Sequence, residues 1–132
     1  MHLAHDIHLA YCTNVHRGGN WEETFASLEN DVLRVRQAVS PDEPYAIGLR
    51  LGADAANELS DRANLLKFRK WLEAKKCYVF TINGFPYGNF HGARVKEQVY
   101  LPDWTSPERL EYTNLLFDLL AELSEEGAEG SV

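Results

Sequence analysis

A chain of 132 residues, 45% hydrophobic and 25% charged, has the make-up of one globular domain with a sizeable core. Its formal charge of −7 comes from Asp and Glu spread along expected helices and a short acidic cluster at Glu122, Glu125, Glu126 and Glu129, which speaks against a nucleic-acid partner, since phosphate binding needs a basic face. No apolar run nears the ~20 residues of a membrane span, and Met1-His2-Leu3-Ala4-His5-Asp6 lacks a basic-then-hydrophobic leader pattern, so no membrane span is expected and the expected address is the cytoplasm.

Residues 9–15, rich in β-branched and aromatic side chains, read as a first strand running into the turn His16-Arg17-Gly18-Gly19. Asn20 and Glu23 have the spacing of a capping box, and Trp21, Phe25, Leu28, Val32, Val35 and Val39 recur by threes and fours, predicting an amphipathic helix that Ser40-Pro41-Asp42-Glu43-Pro44 ends. Residues 45–51 form the second expected strand. Gly52-Ala53-Asp54 opens a helical stretch whose second half, residues 64–75, carries Leu65, Phe68, Trp71 and Leu72, and Lys75-Lys76 suits its C-terminus. Residues 77–82 are the clearest strand, nearly continuous in apolar character. The connection over residues 83–103 exceeds an ordinary βα turn, and loops of that length tend to carry function. Thr105 or Ser106 caps a third helix with Pro107 in its first turn and Leu110, Leu116, Phe117, Leu120 and Leu123 as its buried stripe; residues 127–132 read as a turn and the start of a fourth strand. Cys12 and Cys77 fall inside strands and outside any C-x-x-C spacing, so buried free thiols are expected, not a disulfide or a zinc site.

The order βα, βα, βα, β predicts a parallel α/β domain with right-handed crossovers. An open doubly wound sheet can be complete near this length, whereas a closed TIM (β/α)8 barrel typically needs ~250 residues. An ending at the threshold of another strand favours the second reading. On it, residues 1–132 are three βα units plus the start of a fourth strand, incomplete as given and prone to self-association through exposed sheet edges.

Ligands of parallel α/β folds bind beyond the carboxyl ends of the strands. The candidates there are Asn14 and His16 after strand one, Arg50 near the end of strand two, Thr81 and Asn83 closing strand three, and His91, Arg94, Lys96 and Glu97 in the long connection. Donors predominate, which suits a small polyhydroxylated or anionic metabolite. Plainer roles stand beside these: His16 bonding turn backbone, Asn14 and Asn83 as turn residues, and Lys96 and Glu97 pairing with each other. Arg50, a charge in an apolar strand, needs a partner if buried. Gly18-Gly19 before a helix leaves backbone N–H groups that an anion could take, yet no dinucleotide or P-loop motif is present. His2, His5 and His8, with Asp6 between them, specify no metal geometry, and the start reads as exposed and partly disordered.

Tyr11-Cys12-Thr13-Asn14-Val15-His16, the Trp21-Glu22-Glu23 helix start, Gly48-Leu49-Arg50-Leu51, Phe80-Thr81-Ile82-Asn83-Gly84-Phe85-Pro86-Tyr87-Gly88, Phe90-His91-Gly92, Val95-Lys96-Glu97-Gln98-Val99-Tyr100 and Pro102-Asp103-Trp104 together resemble the EboE family of metabolite traffic proteins. The resemblance runs collinearly over nearly the whole chain, with Arg17 departing where a proline is expected. It implies a xylose isomerase-like (β/α)8 barrel that handles or exports a small polar metabolite beside other Ebo proteins. By wider analogy with sugar isomerases and epimerases it implies a divalent metal in the full-length barrel, held mostly by carboxylates on later strands. No cofactor is expected within these 132 residues, and by themselves they are expected to be inactive. The intact barrel's implied activity is isomerisation or epimerisation through metal-assisted proton transfer. The alternatives are a non-catalytic binding or scaffold module of a metabolite-export pathway, and a complete small open-sheet domain.

Overall fold

The computed structural model describes residues 1–3, 7–88, 98–124 and 128–132. Strands β1 (Ala10–Cys12), β2 (Tyr45–Arg50) and β3 (Cys77–Asn83) form one parallel sheet in the order β1-β2-β3. Between and after them run α1 (Trp21–Ser27), a π turn (Leu28–Val32), α2 (Leu33–Val39), α3 (Ala53–Leu59), α4 (Arg62–Ala74) and α5 (Pro107–Leu123). The chain is therefore a mixed α/β unit with parallel strands. Among the described residues, no helix is long and apolar enough to cross a membrane.

Local chemistry accounts for where these elements begin and stop. Asn20 Oδ1 accepts from Glu23 N–H at 2.9 Å, as the capping spacing requires, while the Glu23 carboxylate reaches back one residue further, to Gly19 N–H at 2.8 Å. Strand one is shorter than expected. Thr13 turns its hydroxyl inward, donating to Gly48 O at 3.2 Å and accepting from Arg50 N–H at 2.8 Å, so a side chain replaces the ladder and Thr13–Val15 becomes a 3-10 turn. The stretch after β2 is two helices, because Asp61 accepts from Ala63 N–H at 2.9 Å and Asn64 N–H at 3.3 Å and so caps α4 afresh.

Tyr45, Ile47, Leu49 and Leu51 alternate toward the helices and join Cys77, Val79 and Ile82 in one core with Trp21, Leu28, Leu59, Phe68 and Leu116. A bulge between Ile47 and Gly48 lets β3 gain one residue, so that Ile47 pairs with Val79 but Gly48 with Thr81. The opposite face presents small groups, Ala10, Cys12, Ala46 and Gly48. Cys12 is accordingly exposed, contrary to the expected buried thiol, whereas Cys77 is buried.

Two further expectations need correction. On α5, Leu110 and Phe117 are 56% and 52% exposed, and the buried stripe runs instead through Arg109, Tyr112, Leu116, Leu119, Leu120 and Leu123. A helix face is set by what it packs on, and here the long connection and the residue after β2 take up Arg109 and Tyr112. Among the described residues the N-terminal segment is largely exposed, as expected, yet it is paired: Leu3 N–H donates to Ile7 O at 2.7 Å, Leu9 N–H to Met1 O at 2.8 Å, and the His8 ring lies 5.3 Å from Phe80. Past α5, Ser131 bridges in parallel to Thr81, with Ile82 N–H on Ser131 O at 2.9 Å and Ser131 N–H on Phe80 O at 3.1 Å. A Cβ at Gly130 would stand 3.0 Å from both a Leu120 methyl and Phe80 O, tighter than ordinary contact, which favours glycine there.

Candidate functional site

On the sheet face away from the helices, the carboxyl ends of the strands enclose an open groove of ≈ 380 Å³, with Cys12, Gly48, Thr81, Asn83, Gly84 and Val132 in its lining. Small residues on β1 and β2 create the space. The Thr81 and Ser131 hydroxyls share a hydrogen bond of 2.9 Å across its edge. Asn83 Oδ1 accepts from Phe85 N–H at 3.0 Å, an Asx turn that starts the long connection and holds the carboxamide at the rim.

The other expected site residues do not gather there. Asn14 is exposed in the 3-10 turn. His16 lies on the helical side of β1, its Nε2 2.9 Å from Tyr11 Oη and its Nδ1 3.6 Å from Asp31 Oδ2. Arg50 is only 7% exposed, and its guanidinium clamps two loops, donating to Gly18 O at 3.1 Å and reaching Gly88 O at 3.5 Å. Burial lowers its pKa, with Tyr112 acting in the opposite sense. The partner that a buried Arg50 requires is thus backbone carbonyl. His91, Lys96 and Glu97 lie outside the described residues, as does Arg94.

A second buried arginine escaped the sequence reading. Arg109, in the first turn of α5, is 9% exposed and donates from Nε to Pro102 O at 2.8 Å and from Nη1 to Gly84 O at 3.3 Å. Its guanidinium stacks over Tyr112 at 5.7 Å, Tyr87 at 5.8 Å and Trp104 at 6.0 Å. It thereby ties together the two ends of the long connection. The usable signal was its spacing of three and seven from Tyr112 and Leu116, on the stripe that faces the sheet.

Tyr112 closes the same corner, donating its hydroxyl to Leu51 O. Burial pushes its phenol up to about 12, an effect that Arg109 and Arg50 partly offset. An unfolded tyrosine ionises near ~10, so from there to about 12 the unfolded chain sheds a proton that the folded protein keeps. This contribution is fully present below pH ~10 and is lost as pH rises through the folded value; two units correspond to about 2–3 kcal/mol. Tyr45, also raised chiefly by burial, acts with the same sign. Urea titrations across this alkaline range should show a shallower decline for Tyr112→Phe than for the wild type. Equal declines would remove Tyr112 from the account.

The donors around the groove do not fit the divalent metal that the resemblance implies. They are a thiol, two hydroxyls and a carboxamide already engaged in a turn, and among the described residues no three His, Cys, Asp or Glu side chains come together. Comparison with protein-family models, curated proteins and solved structures finds no match to this chain.

Proposed function

We propose that the chain carries the first three βα units of an EboE-like, xylose isomerase-like barrel, and that the groove at the strand ends holds a small polar metabolite. One observation carries the reading: Ser131 pairs beside Thr81 on β3. On this reading Ser131 marks where a fourth strand would join the sheet beside β3, which would continue the order β1-β2-β3 as a barrel does. In the usual doubly wound order the fourth strand returns beside the first. The hydroxyls of Thr81 and Ser131 and the Asn83 carboxamide are hydrogen-bonding groups, suited to polyol recognition more than to proton transfer. That favours a binding role for these residues, whether in an isomerase or in a carrier or scaffold of a metabolite-export pathway working with other Ebo proteins.

Backbone amide NMR with D-xylose, D-xylulose and myo-inositol as probes tests this. At least one should shift the amides of Thr81, Asn83 and Gly84 in a saturable way. Asn83→Ala should weaken that response while changing the thermal midpoint little. Shifts absent from all three amides, or a drop of several degrees in melting with binding intact, would oppose the reading.

A further inference from the structure

Strand β1 carries a second constellation on its other flank. Ala10 and Cys12 line the groove, so Tyr11 between them points into the helical layer. There its hydroxyl meets His16 Nε2 at 2.9 Å, and His16 Nδ1 stands 3.6 Å from Asp31 Oδ2. Hydroxyl and imidazole thus stand within hydrogen-bond reach, as a nucleophile and its base do, and the carboxylate lies beside the other ring nitrogen just beyond hydrogen-bond distance. The chain is accessible: the side chains of His16 and Asp31 are 17% and 48% exposed, and all three residues line a surface groove of ≈ 450 Å³ with Arg34, Val35 and Ala38. Asp31 sits in the π turn between α1 and α2, where Leu33 N–H bonds to Leu28 O, and such turns recur at functional sites.

We propose that Tyr11, His16 and Asp31 form an acyl-acceptor site for small activated carboxylic esters, separate from the strand-end groove and independent of the barrel reading. The negative charge of Asp31, 3.6 Å from Nδ1, acts electrostatically in favour of a proton on that nitrogen, and in this tautomer Nε2 takes the phenolic proton. The Tyr11 oxygen bonds to the ester carbonyl carbon, and the bond from that carbon to the leaving oxygen breaks. The leaving group departs as an alkoxide or phenolate and takes up a proton from His16 or solvent; the product is an acyl-tyrosine, with no change of oxidation state. Arg34 lines the same groove and adds positive charge where an oxyanion would develop, and Val35 and Ala38 add apolar lining that suits a short acyl chain.

The test is p-nitrophenyl acetate with the full chain. One equivalent of p-nitrophenolate should appear in a burst, and peptide mass spectrometry should place the acetyl group on Tyr11 before any lysine or the N-terminus. Tyr11→Phe should abolish the burst, His16→Gln should slow labelling about 100-fold, and Asp31→Asn should slow it less. The wild-type labelling pattern stands whether or not each variant folds well. Acetylation confined to lysines and the N-terminus overturns the proposal, as does Tyr11 labelling at an unchanged rate in a folded His16→Gln variant.

Discussion

Phe68→Ala is expected to cost about 3–5 kcal/mol, the largest loss of any single substitution considered. Phe68 on α4 is 1% exposed. Its ring meets Trp21 edge-on at 4.9 Å, Phe25 edge-on at 6.2 Å and Trp71 stacked at 5.9 Å, so one side chain joins the first helix to α4 above the sheet. Removing it forfeits the transfer of a large ring from water, leaves a cavity and deletes three aromatic contacts worth roughly 0.5–1.5 kcal/mol each. Two tryptophans border the cavity, so urea unfolding followed by tryptophan fluorescence reports on it directly. Phe68→Leu should fall between the variant and the wild type, since it refills part of the volume. A loss below roughly 1 kcal/mol for the alanine variant would mean that the four rings do not form a shared core.

Arg50→Met is expected to cost about 1–3 kcal/mol and to loosen the rim of the strand-end groove. The guanidinium satisfies Gly18 O in the loop after β1 and Gly88 O in the connection after β3. Methionine keeps the apolar stem but strands the buried Gly18 carbonyl, at about 1–3 kcal/mol, whereas water can replace the 3.5 Å contact to the exposed Gly88. Against this stands the relief of a desolvated charge, the cause of the lowered pKa, and Arg50 faces no carboxylate among the described residues. Arg50→Lys should recover only part of the loss, because an ammonium lacks the planar fork that spans two acceptors. Urea unfolding measures the cost, and faster amide exchange at Gly18, Gly19 and Tyr87 would locate it. Unchanged exchange at all three, with intact stability, would mean that Arg50 is not the clamp between these loops.

The element types were legible in sequence because each rests on a short-range rule. The Asn20 and Glu23 spacing marked the start of α1, Pro107 marked the first turn of α5, and the apolar run over residues 77–82 marked a buried parallel strand. Boundaries failed where a side chain reached across the chain. Thr13 reads as one more strand residue until its hydroxyl is seen holding Gly48 and Arg50, 35 and 37 positions away. Asp61 hides in a helical period until its carboxylate is seen capping the start of a second helix.

The candidate site was legible by position and not by membership. That ligands of parallel sheets bind at strand ends is a rule of the architecture, and Asn83, singled out on that ground, lines the groove there. His16 and Arg50 met the same criterion but turned elsewhere, to Tyr11 and Asp31 in one case and to Gly18 and Gly88 in the other. The sequence by itself determined which segments are helix or strand and that the strands run parallel, because hydrophobic period and capping act over a few residues. Only the tertiary structure decided that Arg109 and Tyr112 lie inside while Leu110 and Phe117 lie outside, that Cys12 faces a groove, and that Ser131 sits beside Thr81. Those outcomes depend on which surfaces meet across tens of residues. There a buried arginine with two carbonyl partners is as well satisfied as a leucine, and periodicity alone does not tell the two apart.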